Sequence, residues 1–156
     1  MKAKNIIYPI LGICLMMLAG CTKPDGDIGD WFGSWHIEEI LINGEPDQVY
    51  ADYQKENRYQ VMVNFQGKVF NMAYIEGNEI YGSWSYAGEV LTLVASYNAG
   101  SGNGTSLFDP FPTVLHFPAD VEQVDITVTH INNKTMQWQL IDQNGRLITY
   151  NLRKYP

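Results

Sequence analysis

One stretch of the chain specifies a covalent reaction. Leu18-Ala19-Gly20-Cys21 closes an apolar run that begins at Ile6 and Ile7, and it matches the lipobox of bacterial secretory leaders. Small residues ahead of the thiol admit a peptidase that cuts once the cysteine carries a diacylglyceryl group. Cys21 is therefore expected to be the lipidated first residue of the mature chain. Lys2 and Lys4 form a basic head before the apolar region Ile6 to Leu18, which Pro9 interrupts and which is shorter than the ~20 residues a spanning helix needs. Residues 1–20 read as a cleaved signal peptide, 21–30 as a lipidated tether rich in Asp, Gly and Pro, and 31–156 as one domain.

The remaining reactive residue types do not assemble into a catalytic pattern. His36, His116 and His130 are the only histidines, and none lies two or four residues from another, so zinc would have to be gathered from three strands without a cysteine. Gly82-Ser83-Trp84-Ser85-Tyr86 lacks the second glycine of a nucleophile elbow. Gly100, Gly102 and Gly104 have neither the lysine nor the helix of a phosphate loop. Glu38 and Glu39 are adjacent, and neighbours on a strand face opposite sides, so the pair cannot share a substrate. Asp25, Asp27 and Asp30 have the spacing of a calcium loop without its distal glutamate. The domain is expected to be non-enzymatic, with no metal and no cofactor.

Charge and cysteines narrow the partners. Loss of Lys2 and Lys4 with the leader moves the formal charge from -7 to -9, which opposes a nucleic-acid partner. The same balance disfavours electrostatic docking on anionic lipid, leaving the lipid on Cys21 and its N-acyl partner to hold the membrane. Cys14 departs with the leader, so the mature domain has no free thiol and no disulfide. Its stability must come from packing, for which an aromatic content of 13% supplies large buried areas.

From Trp31 onward the apolar residues recur with period two, the repeat of a half-buried strand. A first strand runs from Gly33 to about Ile42, with the Glu38-Glu39 pair breaking the alternation as a bulge or an outward twist, and Asn43-Gly44 turns the chain. Residues 46–58 carry either a short helix or an irregular crossover. Four strands follow in close order. Their inward rows are Tyr59, Val61, Val63 and Phe65; Phe70, Met72 and Tyr74; Ile80, Gly82, Trp84 and Tyr86; and Leu91, Leu93 and Ala95. Residues 98–112 form a long loop with a Gly-rich half and an apolar half containing Leu107, Phe108 and Phe111. Such a loop is either a flap over a site or a connection whose aromatics patch one end of the fold. Thr113 to Phe117 are expected to form a short strand, followed by strands around Val124 to Val128, Met136 to Leu140 and Ile148 to Leu152.

Eight or nine antiparallel strands with short turns must close or stack to protect their edges. The expected fold is all-β, an antiparallel up-and-down barrel of about eight strands. Gly33-Ser34-Trp35 resembles the Gly-x-Trp signature of lipocalins. Gly82-Ser83-Trp84-Ser85-Tyr86 with Leu91-Thr92-Leu93, and the stretch from Asn132 to Trp138, are similar to the middle and the late hairpin of lipocalin-like lipoproteins of Bacteroidetes. The acids just beyond Cys21 loosely resemble the surface-export signal of those proteins, although Thr22, Lys23 and Pro24 intervene. The resemblance implies a lipocalin-like or calycin-like barrel in the cell envelope, at the outer membrane, with either a periplasmic or an outward orientation.

Two functions are compatible with these letters. One is a barrel that takes a small apolar or amphipathic ligand, walled by Trp35, Tyr74, Trp84, Tyr86, Trp138 and Tyr150 and gated by Phe108 and Phe111. The other is a solid barrel with those rings as core, which presents its surface to an envelope protein or a glycan. Glycines at 100, 102 and 104 would hinge the gate in the first case.

Overall fold

The computed structural model describes residues 26–57, 61–74, 78–98, 108, 114–119 and 121–155. The chain enters through a 3-10 segment, Gly26–Trp31. Next come β1 (Gly33–Ile42), the two-residue β2 (Glu45–Pro46), the helix α1 (Gln48–Asn57), β3 (Met62–Gln66), β4 (Val69–Tyr74), β5 (Asn78–Ala87) and β6 (Val90–Asn98). Then follow β7 (Gln123–Ile131), β8 (Thr135–Ile141) and β9 (Leu147–Lys154). Each strand from β3 to β9 pairs antiparallel with its sequence neighbour, β3 pairs with β1, and β1 also pairs with β9. That last ladder, Trp35 against Lys154 through Ile42 against Ile148, closes eight strands into a barrel and leaves β2 as a short flap on β1.

Closure follows from the alternation. Trp35, Ile37, Val63, Phe65, Phe70, Met72, Leu91, Leu93, Ile126, Trp138, Ile148 and Tyr150 are all buried to 1% exposure or less, and each side chain pointing in is flanked by one pointing out. The bulge expected at Glu38-Glu39 is present, as the β1–β9 register shifts between Ile37 and Glu39. Its exposed carbonyls are taken up by α1: Tyr50 Oη donates to the Ile37 carbonyl at 2.7 Å, and Gln54 Nε2 donates to the carbonyls of Ile37 and Glu38. Residues 46–58 thus hold a helix across most of their length, fastened over the defect in β1.

The turns carry their own locks. Asn43 and Gly44 both have positive φ, the backbone a two-residue hairpin needs, and Asn43 Oδ1 accepts the Leu147 N–H at 2.9 Å. Between β8 and β9 the Asp142 carboxylate collects the N–H groups of Asn144 and Arg146 and the Arg146 guanidinium. Burial pushes this carboxyl up, but those donors outweigh it and hold it at about 2.

One expectation fails. Residues 114–117 do not form a strand: Val114 and Leu115 lie in a helical turn, and His116 takes a left-handed backbone with φ 58, a common way for such a turn to end. Thr113, where the expected strand begins, lies outside the described residues. The segment instead folds across the barrel mouth and buries Val114, Leu115 and Phe117.

Candidate functional site

The barrel has two unlike ends, and strand direction assigns every feature to one of them. The tether end holds the 3-10 segment and the hairpins β3–β4, β5–β6 and β7–β8. The far end holds α1, the connection from β6 to β7 and the β8–β9 turn.

The far end is covered. Phe108 is fully buried and meets Phe117 edge-on at 5.7 Å, while Phe117 meets Tyr150 at 6.0 Å. The Tyr150 hydroxyl donates to the Leu115 carbonyl. Burial, and then the carboxylates of Asp142 and Asp47, push this phenol well above its ordinary range. The covering segment is latched by His116 Nε2, which lies 2.7 Å from Asp47 Oδ2. The other Asp47 oxygen accepts the Val49 N–H at 3.1 Å and so caps α1. These two residues are 69 positions apart, and no local sequence pattern announces their pairing.

From this cover a column of rings runs the length of the barrel. Tyr150 meets Trp138 at 6.3 Å, Trp138 meets Phe65 at 6.4 Å, and Phe65 meets Trp31 at 5.1 Å. Of the eight rings expected to wall a ligand, Trp35, Trp138, Tyr150 and Phe108 are inward and fully enclosed by neighbours. The side chain of Tyr74 lies outside the described residues, as do Phe111 and Cys21, the residue expected to carry the lipid.

Trp84 and Tyr86 behave differently. With Ile28, Trp31, Gly67, Lys68 and Ser85 they line an open cleft of about 420 Å³ at the tether end. Trp31 is its floor, touching Trp84 at 5.1 Å and Tyr86 at 4.9 Å, and Phe65 supports Trp84 from below at 4.9 Å. The Lys68 carbonyl accepts the Trp84 backbone N–H at 3.1 Å, which binds the β3–β4 hairpin to this shelf. The Trp84 indole nitrogen is buried without a hydrogen-bond partner among the described residues, an arrangement that costs desolvation free energy unless something accepts from it. Lys68 makes no ion pair among the described residues. A shelf of tilted rings beside one ammonium can hold a flat apolar body with a polar or anionic group.

Lys68 and Trp31 were not singled out in the sequence. Lys68 reads as a hairpin residue, and Trp31 as the opening of the alternating pattern; only closure of the barrel brings them together with β5. Among the described residues no three of His, Cys, Asp and Glu gather closely enough to hold a metal ion.

A family model described as a lipocalin-like domain matches residues 16–155. The chain belongs to the lipocalin-like family. Two solved structures share its fold at 16% identity. An uncharacterised protein of Bacteroides eggerthii DSM 20697 has a TM-score of 0.57 over 80% of this chain and 99% of its own. A lipocalin-like protein of Bacteroides uniformis ATCC 8492 has 0.56 over 81% and 100%. No curated protein matches.

In this lipocalin-like barrel the Gly33-x-Trp35 motif has a local physical reason. Trp35 Nε1 donates to the Trp31 carbonyl at 3.0 Å, tying the 3-10 segment down, and Lys154 Nζ sits 5.4 Å over the Trp35 ring. Gly33 has φ 113, and a Cβ there would stand 3.1 Å from Lys154 Cε. Glycine admits the lysine stem, and the tryptophan holds the segment that floors the cleft.

Proposed function

We propose that this chain is a cell-envelope lipoprotein whose lipocalin-like barrel binds a small amphipathic molecule in the tether-end cleft. The apolar body lies on Trp31, Trp84 and Tyr86, and an anionic or strongly polar group meets Lys68. The observation that carries this reading is the open three-ring shelf beside a lysine with no ion pair among the described residues. Membership of a fold family built as a closed barrel supports a binding role and does not choose the ligand. Charge reversal separates the parts. Lys68→Glu is expected to weaken anilinonaphthalene sulfonate by about two- to fivefold or more, as for an exposed ion pair of up to ~1 kcal/mol, and to leave a neutral apolar dye unaffected. Uptake of both dyes that is unchanged by Lys68→Glu and by Tyr86→Ser would exclude the cleft.

The membrane is the second partner, through Cys21. An alkyne fatty acid fed to cells is expected to label the wild type and not Cys21→Ala. Equal labelling of both would remove the anchor. A second functional reading is favoured by the ring column from Phe108 to Trp31: with its axis occupied by side chains, the barrel serves as a rigid module that presents its surface to an envelope protein or a glycan. Absence of saturable dye binding in a folded wild type selects it.

A further inference from the structure

We propose that the tether end of the barrel is a membrane-docking face that lies on an anionic lipid surface. The proposal rests on lipidation of Cys21 and adds an orientation and a lipid preference to it. Gly26 follows Cys21 by only five positions, and a fully extended chain covers at most ~18 Å in that distance. The 3-10 segment that begins at Gly26 is tied to the barrel by the Trp35 bond to Trp31. A lipid on Cys21 therefore brings this end of the barrel, and no other, against the membrane.

The residues at that end suit the position. Phe32, Val69, Tyr86, Val90 and Tyr155 are between 37% and 60% exposed, and all five flank the segment, the hairpins or the strand terminus gathered there. Aromatic and aliphatic side chains rimmed by lysine are the composition of a membrane interface. The cations are placed likewise. Lys134, Arg153 and Lys154 line a second cleft of about 440 Å³ with Asn133, Thr135 and Tyr155, and Lys68 lines the first. Arg153 is paired with Glu38 at 2.7 Å; Lys68 and Lys134 have no ion pair among the described residues. The described acids at this end are Asp27 and Asp30 on the entering segment and Glu89 in the β5–β6 turn, while Glu38 is taken up by Arg153.

The far end is the opposite. Glu45, Asp47, Asp52, Glu79, Glu122 and Asp142 lie there or on the strands approaching it, against Lys55 and Arg146, and both of those cations are already paired, with Asp52 and Asp142. Loss of Lys2 and Lys4 takes the net charge from -7 to -9, a sum that opposes anionic lipid but hides a separation along the barrel axis. The acidic end is turned from the membrane by self-repulsion, and the end that carries the unpaired lysines meets the headgroups within a Debye length. The amphipathic cleft opens on the docked face, so its ligand would be drawn from the lipid surface.

The lipidated protein in vesicles tests this. After processing, Cys21 holds its sulfur in a thioether and Cys14 is gone, so Val90→Cys at the tether end and Val49→Cys on α1 each give one site for a fluorophore. In phosphatidylcholine vesicles containing nitroxide lipid, the label at 90 is expected to be quenched and the label at 49 spared. Added phosphatidylglycerol should deepen the first effect. Lys68→Glu and Lys134→Glu should each shift the docked equilibrium roughly fivefold or more and, together, abolish the phosphatidylglycerol dependence. Equal quenching at both sites, or quenching indifferent to lipid charge and to both substitutions, overturns the docking face while the anchor stands. A purified chain whose mass shows no lipid on Cys21 overturns the anchor reading and the face with it.

Discussion

Trp138→Ala is expected to lower the unfolding free energy by about 3–5 kcal/mol, the range for deleting a large buried ring from a core that cannot fully collapse. Trp138 is fully buried at the middle of the ring column. It stands cross-strand from Tyr150 and from Val128, and its indole N–H is directed at the Met136 sulfur at 2.7 Å. Removing it breaks the edge-to-face contacts with Phe65 and Tyr150 at once and leaves a void whose walls belong to closed strands. A barrel held by a continuous ladder has little freedom to shrink around such a void. Urea unfolding of wild type and variant gives the value from the shift in midpoint at constant slope. A loss below ~1 kcal/mol, against that range, would mean that the axis of the barrel already contains accessible space. The interior ligand site walled by Trp35, Trp138 and Tyr150 would then regain its standing over the cleft.

Gly82→Ala should be the most damaging single-methyl change in the described chain. A Cβ at this position would lie 2.0 Å from the Val94 carbonyl oxygen and 2.6 Å from Phe70 Cε1, so backbone as well as side chain must move. The close approach has a cause: the β5–β6 register shifts between Tyr81 and Gly82, and the bulge brings β6 in over the vacant face of the glycine. The Phe70 ring then fills the space a side chain would need. We expect a loss of about 3 kcal/mol or more, at the upper end of overpacking, and a melting temperature lower by ~4 °C per kcal/mol. Gly88→Ala is the control. Its backbone has φ 56 but nothing lies within 4 Å of the added atom, so it should cost only the ~1–2 kcal/mol of a left-handed residue. Equal melting temperatures for the two variants would show that β6 yields freely at Val94 and that the close approach is not a constraint.

The class of fold could be derived from the letters alone because its cause is local. A strand repeats every two residues, so Val63 and Phe65, Leu91 and Leu93, or Ile148 and Tyr150 must share a face wherever the strand is placed, and Asn43-Gly44 must turn whatever it connects. The bulge at Glu38-Glu39 was legible for the same reason, as a break in that repeat. The strand expected at Thr113 to Phe117 was not, because a short apolar run between prolines can bury its side chains in more than one way, and the described part of it does so in a turn over the barrel mouth.

The candidate site depended on distant parts of the chain meeting. Trp84 and Tyr86 were recognisable as members of an inward row, but alternation treats every member of a row alike. It could not separate Trp138, sealed in the middle of the barrel, from Tyr86, two residues beyond Trp84 at the rim, since that difference is set by where the strand runs out of the barrel. Trp31 and Lys68 become cleft residues only because β1 closes on β3 and β9, and His116 finds Asp47 only across the finished far mouth. Charge shows the same division. Composition determined that the protein is acidic, while the strand directions alone decided that six of its acids gather toward one end, where the cations are already paired, and its unpaired Lys68 and Lys134 toward the other. Periodicity and turn chemistry act over a few residues and are written in order along the chain; cleft, latch and charge separation arise from closure, which brings together residues that the sequence keeps far apart.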